Sequence, residues 1–476
     1  MRIAIIGAGP AGLTCAYKLS KEIGEKISSL DVYEASESVG GMSRSLSLWG
    51  QTVDLGPHRF FSKDKMINQL WLEIVGNDYD IVNRKTRIYY KKRFFDYPIR
   101  AFNALQGLGP WEALRCVASY IGQKINPTED TSSFEGWVTN RFGKRLYTIF
   151  FKTYSEKLWG IKCTELDSDF ASQRIKKLSL FEAIRNAMEF KKNARHATLA
   201  DQFAYPNGGT GSIYEKMKRS IEVNGGKIYL NSPVKRVHVE DQKAEGLELP
   251  DGNYKKYDHV ISSMPLTILA KTMGTLPQQV LENVNSLRFR NTILVYLRIN
   301  HSELFPDQWL YIHDNEVETG RITNFRNWVP ELYGSDRSTI LCMEYWCNFD
   351  DEMWNADDKK LADLATKEIQ KIGLLKNADI MDSYVFRIPR CYPVYFKDYQ
   401  DQLLPVQDFF RQIPNLHIIG RYGAYKYNNQ DHSILMGMLA AENILLNKGH
   451  DLWGTNTDYG IYQEEAMITR TGLQNS

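Results

Sequence analysis

The spacing of apolar and polar residues changes several times along the chain. "MRIAIIGAGPAGLTCAYKLSK" opens with an unbroken apolar run, crosses glycines and continues at helical spacing. It predicts a buried strand, a tight turn and a helix. "SSLDVYEAS" is a second buried strand, ending on Glu34, so the three pieces form a β-α-β unit. "TRIYYKKRFFDYPI" reads as a hairpin. From about 100 to 195 the period becomes that of amphipathic helices, as in "PWEALRCVASYIGQKI", "SSFEGWVTNRFGKRLYTIFFKTYSEKLWG" and "LSLFEAIRNAMEFKK". "NGGTGSIYEKMKRSIEVNGGKIYLNSPVKRVHVE" returns to a helix, a turn and strands, and "HVISSMP" is a further buried strand. From about 275 to 385 apolar and polar residues alternate, as in "TILVYLRIN", "QWLYIHD" and "TILCMEYWCN". That predicts an antiparallel sheet with one helix, "DDKKLADLATKEIQKIG". "NLHIIGRYGAYKY" is a strand entering a turn, and "SILMGMLAAENILLNKG" closes the pattern as a helix.

These elements give an α/β fold. A discontinuous Rossmann-like domain takes residues 1–80, 196–275 and 386–448. A helical insertion domain covers 98–195 and caps the substrate site. An antiparallel β-sheet domain is built from 81–97 and 276–385. Residues 449–476 form a polar, peripheral tail.

Composition adds bounds rather than identity. The 476 residues suit two or three domains. A net charge of +2 gives no bias toward nucleic acid or a membrane surface. Aromatic residues reach 12%, much of it tyrosine, whose flat apolar ring ends in a hydroxyl suited to polar ligands. Six cysteines, with no C-x-x-C, fit neither a zinc site nor a disulfide framework, which points to reduced thiols and no metal. No charged start leads into a cleavable apolar run, and no apolar stretch reaches the roughly 18–20 residues of a membrane span. A soluble cytoplasmic protein is expected, and the sequence leaves room for a homodimer.

Gly7, Gly9 and Gly12 form G-x-G-x-x-G between the first strand and helix. The first glycine permits the turn, the second admits a pyrophosphate, and the third lets helix and strand pack closely. Glu34, 22 residues after Gly12, stands where a carboxylate accepts ribose hydroxyls. After five further residues come Gly40 and Gly41. This E-x5-G-G pattern resembles the FAD enzymes of the amine oxidase and protoporphyrinogen oxidase superfamily. The resemblance implies FAD, with an adenine contact from a strand carrying Val234. It implies further cofactor contacts from His58, from Gly420 and Arg421 of the second flavin motif, and from Asp431.

A finer resemblance lies in the helical region. Phe150, Phe151, Lys152, Tyr154, Trp159 and Gly160 match the Phe-Phe-Lys-x-Tyr-x4-Trp-Gly stretch of the UDP-galactopyranose mutase family. There the tyrosine stacks on uracil, so Tyr154 takes that place. Arg174 follows Trp159 at nearly the family spacing and matches the arginine that grips the diphosphate. "LGPHRFF" resembles Gly-Pro-His-x-Phe and gives His58 beside the flavin. "GRITNF" gives Arg321, "CMEYW" gives Tyr345, and "GRYGAYKY" gives Arg421, Tyr425 and Tyr427. The match spans roughly residues 1 to 445. It implies substrate binding by Phe151, Tyr154, Trp159, Arg174, Arg321, Tyr345, Arg421 and Tyr427, and catalysis by Arg174, Arg421 and His58. Taken singly, each arginine is more often a solvated surface charge, and Tyr154 and Trp159 are more often core aromatics.

The reaction so implied is a pyranose/furanose isomerisation without net redox change. Reduced-flavin N5 attacks the anomeric carbon while the nucleoside diphosphate of a UDP- or dTDP-linked sugar leaves. Such a reaction belongs to cell-surface polysaccharide synthesis. Arginine forks suit a diphosphate because they stay charged and grip oxygens in pairs. Departures from the family are Met42 and Arg44 for Asn and Tyr, Asn429-Gln430 for Asp-Met, and Leu178 for a second arginine. They touch the flavin rim and the sugar end. Two other readings stand beside this one. One is an FAD-dependent oxidase or desaturase of the same superfamily, with an apolar pocket. The other is a flavin-free binding protein like the GDP dissociation inhibitors, which the intact glycine fingerprint argues against.

Overall fold

A computed structural model describes residues 1–97, 99, 101–174, 202–455 and 466–475. The chain divides into two compact units. One comprises Met1–Ile81, Phe203–Arg288 and Gln400–Ser476; the other comprises Val82–Gln202 and Phe289–Tyr399.

The first unit is built on a five-stranded parallel sheet in the order Leu416–Ile418, His259–Ser262, Arg2–Ile6, Ser29–Tyr33, Lys227–Tyr229. Its central strand is fully apolar and buried after Arg2, as a strand covered on both faces requires. The helix Pro10–Ser20 starts with proline at its first position, where the missing N–H costs nothing. Nine of its eleven residues are buried, so it is a core helix rather than a surface one. The closing helix Gln430–Leu446 packs on it. A Cβ on Gly437 would lie 2.4 Å from the Ala11 carbonyl oxygen, so only glycine allows the two helices this approach. Val234 falls just ahead of the strand Arg236–Glu240 rather than within one. Proline at 233 has no N–H for a sheet ladder. The tail also departs from expectation. Ala466–Thr469 and Gly472–Asn475 pair as a hairpin. Its Ala466 N–H donates to the Lys63 carbonyl at 2.9 Å, and its Ala466 carbonyl accepts from Asn68 Nδ2 at 3.0 Å.

The second unit contains a seven-stranded sheet. Its order is Ile380–Pro393, Phe289–Ile299, Thr339–Cys347, Arg321–Asn324, Trp309–Ile312, Thr86–Tyr90, Arg93–Asp96. The expected hairpin of 86–96 is present. The sheet is mixed rather than wholly antiparallel, because Trp309–Ile312 pairs with Thr86–Tyr90 in parallel. A parallel pair needs a long crossover, and between these two strands the chain passes through the helical insertion and the first unit's Phe203–Arg288. The strand Ile380–Pro393 completes this sheet, so the boundary expected at 386 lies at 399/400. One sheet face packs on the helix Asp358–Ile372, which buries Leu361, Ala365 and Ile369. The helical and sheet segments expected as separate domains belong to this one unit.

Candidate functional site

In the first unit two of the three glycines of the turn, Gly7 and Gly12, have no room for a side chain. Gly7 has φ +98°, and a Cβ there would sit 2.3 Å from Ser263 Oγ; one on Gly12 would sit 2.0 Å from the Gly7 carbonyl oxygen. Gly40 and Gly41 also adopt left-handed backbone, and Gly41 comes against Gly9. Glu34 stands at the mouth of this turn. Its Oε2 accepts from the Ala8 N–H at 2.7 Å, and its Oε1 accepts from Ser36 N and Oγ at 2.9 and 2.8 Å. The chain before Val234 runs alongside, with Ser232 N donating to the Glu34 carbonyl at 2.8 Å. His58 is anchored through its carbonyl, which accepts from Thr210 Oγ1 at 2.7 Å.

Gly420 has φ +80° and opens a short turn onto Arg421. The Arg421 guanidinium lies 4.5 Å from the Tyr427 ring centre, and its Nη1 donates to the Asn428 carbonyl at 2.9 Å. Cation and phenol from the same motif are thus brought together. Asp431 is fully buried in the first turn of the closing helix, with Oδ1 2.8 Å from His432 Nδ1. Among the described residues, none donates a hydrogen bond to either of its carboxylate oxygens. A buried carboxylate of this kind calls for donors from a ligand. Glycine cradle, acidic strand end and buried carboxylate together fit a flavin dinucleotide.

The second unit holds the aromatic motif. Phe150, Phe151 and Lys152 lie in a wide π-helical turn, Thr148–Lys152, which runs into the helix Thr153–Trp159. Such turns re-aim the side chains after them and recur at functional sites. Tyr154 stacks on His313, with ring centres 4.9 Å apart and planes 20° from parallel. Tyr311 and Trp346 meet it edge-on at 5.5 and 5.6 Å. Burial and the nearby Lys157 ammonium push His313 down to about 3, so its ring is neutral at working pH. Lys157 holds the loop that carries His313. Its Nζ donates to the Asp314 and Val317 carbonyls, both at 2.5 Å, and burial lowers it to about 8. Gly160 ends the helix with φ +67°, and a Cβ there would press on the Arg290 guanidinium at 2.4 Å.

Other expected substrate residues are arranged differently. Trp159 is fully buried among Phe170, Tyr392 and Tyr395, as a core aromatic. Phe151 stacks on Phe142 at 5.2 Å. Arg321 lies near the Tyr154 cluster, with Nη2 3.5 Å from the Tyr392 hydroxyl. Its charge is taken up by Glu344 through a two-pronged pair of 2.6 and 2.5 Å. That is a correction: a guanidinium so neutralised is not a ready anion clamp. Tyr345 is a second correction. Strand alternation turns it away from Glu344 and Trp346, into the core under the helix Asp358–Ile372, where its hydroxyl donates to Glu368 Oε2 at 3.0 Å. Arg174 ends the helix Ser168–Arg174; its side chain lies outside the described residues, as does Leu178. His313, Tyr311 and Trp346 were not singled out from sequence. The signal was present as an alternation, "WLYIH", that puts rings on one sheet face.

All six cysteines are buried and free of disulfides. Among the described residues no cluster of three metal-ligating side chains occurs, and no helix is long and apolar enough to cross a membrane.

The model of flavin-containing amine oxidoreductases matches residues 10–445. The chain belongs to that family. Within it, the chain resembles a crystal structure of reduced UDP-galactopyranose mutase with a TM-score of 0.82 and 23% identity, covering 94% of this chain and 96% of that one. Its curated relatives bear other names. Coproporphyrinogen III oxidase of Staphylococcus aureus (strain NCTC 8325 / PS 47) is 20% identical over 93% of this chain and 98% of its own length. The 4,4'-diapophytoene desaturase (4,4'-diapolycopene-forming) of Methylomonas sp is 24% identical over 63% of this chain and 61% of its own. Membership fixes a flavin as cofactor and the shared fold.

Proposed function

We propose that this family member is an FAD-dependent mutase acting on a UDP- or dTDP-linked sugar, exchanging pyranose and furanose forms in the cytoplasm with no net redox change. The observation that carries the reading is the Tyr154 cluster. A phenol backed by a neutral imidazole and flanked by two edge-on rings offers a flat, sequence-tolerant platform for a nucleobase. The likeness to a reduced UDP-galactopyranose mutase supports it. Bound in its reduced form, the flavin supplies a nucleophile for the anomeric carbon. This chain's residues bind and orient. Tyr154 holds the base, and Arg174 and Arg421 carry the diphosphate charge as the sugar departs and returns. Tyr427 donates its hydroxyl beside Arg421, and His58 lines the flavin edge.

A second reading, a flavin oxidase or desaturase, is favoured by one specific observation. Arg321 is neutralised and Tyr345 faces the core, so the second unit presents fewer polar groups than a diphosphate sugar asks for. The names of the curated relatives point the same way. Titration of the dithionite-reduced protein with UDP and dTDP, followed by flavin fluorescence, separates the two. The mutase reading expects saturable binding of one nucleotide that weakens in Tyr154→Ala. Absence of binding by either nucleotide contradicts it.

A further inference from the structure

Tyr154 and Lys157 stand three residues apart on the helix Thr153–Trp159, and so on one face of it. Seven residues are too few for a helix to hold itself. It also follows directly on the π-helical turn, where the regular hydrogen-bond ladder is broken. Its place is therefore set from outside. Ser155, Leu158 and Trp159 are buried, and Arg290 donates to the Lys157 and Leu158 carbonyls at 3.4 Å each. The face that bears Tyr154 is tied by Lys157 instead. Besides the Asp314 and Val317 carbonyls, its Nζ reaches the Thr319 carbonyl at 3.4 Å. Among the described residues it has no ion pair. An ammonium drawn out of water for three carbonyls is a costly tie for a merely structural end, where an apolar contact would serve. The far side of that loop is fixed: Glu368 accepts from the Glu318 and Thr319 N–H groups at 2.5 and 3.0 Å. His313 is fixed as well. Its N–H donates to the Tyr89 carbonyl at 2.9 Å, and the Phe150 carbonyl of the π-helical turn holds its ring by a hydrogen bond.

We infer that Lys157 is a positioning residue for nucleotide binding: its ammonium pins the helix Thr153–Trp159 to the loop 314–319, so that the Tyr154 ring lies flat on a His313 already fixed by the sheet. The inference rests on the reading of the Tyr154 cluster as a base platform. It adds a way for protonation to tune that platform. Burial holds Lys157 down to about 8, with the Glu318, Glu368 and Asp314 carboxylates opposing the shift. The other groups facing it do not titrate nearby: His313 is neutral, and Arg290 keeps its guanidinium charge. Below about 8 the ammonium offers three hydrogens to three carbonyls. Above it the amine offers two, without the charge, and the pin loosens. Nucleotide affinity then falls as pH rises through that value.

The test is fluorescence titration of the dithionite-reduced, flavin-loaded full chain with UDP from about pH 7 to about pH 9. Lys157→Met keeps the length of the side chain and removes its charge; it should weaken UDP roughly tenfold at the lower end of that range. The ratio of wild-type to Lys157→Met affinity should shrink as pH passes about 8, the nucleotide's own titration cancelling in the ratio. Added to Tyr154→Ala, the same substitution should cost nothing further, because the pin acts only through that ring. If Lys157→Met fails to fold, the wild type still carries the test: its affinity divided by that of Tyr154→Ala should fall over the same pH range. Unchanged affinity in a folded Lys157→Met overturns the inference. So does a ratio that is flat in pH. An equal loss with and without Tyr154 makes Lys157 a general prop and overturns it too. A wild type that binds neither UDP nor dTDP defeats the base-platform reading and this inference with it. That failure is told apart because Tyr154→Ala then has no binding to weaken.

Discussion

Arg321 and Glu344 sit opposite each other on paired strands, and both are shielded from water. Breaking such a pair strands one charge in the interior. Glu344→Gln should therefore cost about 3–5 kcal/mol, read as a lower urea midpoint, while replacing both partners with apolar residues should cost far less. Tyr345→Phe should remove only the hydrogen bond to Glu368, about 1 kcal/mol, and leave nucleotide affinity unchanged. Tyr154→Ala, by contrast, should weaken UDP binding roughly 5- to 100-fold, the range of one base–ring stack, with little loss of stability. Fluorescence titration of the three variants separates these roles. The chain made Arg321 and Tyr345 visible as residue types but hid their partners. Which carboxylate faces Arg321 is decided by strand register, and whether 345 or 346 meets Tyr154 is decided by a one-residue alternation. Neither is written in a single strand's own sequence.

Elements whose signal is local were legible. The glycine turn, the hairpin of 86–96 and the helix Asp358–Ile372 each follow from spacing and caps within a few residues. The C-terminal hairpin was not, because its two short strands are held by distant partners. Besides the Lys63 and Asn68 contacts, Tyr79 donates to the Thr469 carbonyl at 2.7 Å. Lys426 Nζ reaches back to the Thr455 carbonyl at 2.7 Å, and Leu452 joins the core. Ending the chain after Asn447 should cost about 2–4 kcal/mol through lost hydrogen bonds and exposed apolar surface, seen as a lower melting temperature.

At the scale of the molecule, one buried histidine pair should lower stability on acidification. His259 and His417 lie on adjacent parallel strands, ring nitrogens 3.3 Å apart. Burial lowers both, His417 to about 4, with Asp258 opposing the shift at His259. The folded state thus favours neutral rings, while the unfolded rings take protons near 6.5. The stability this pair contributes is lost as pH falls from about 6.5 through about 4 and is level above that window. Melting curves of the wild type minus those of His417→Gln should show this slope; a flat difference contradicts it. The central claim, ring isomerisation without net oxidation, has a more direct test. Dithionite-reduced protein is incubated without oxygen with UDP-galactopyranose and other UDP- and dTDP-hexoses, and ring form is followed by NMR. Catalytic appearance of a furanose is predicted. Unchanged sugars, together with oxygen-consuming oxidation of coproporphyrinogen III by the same preparation, would contradict it.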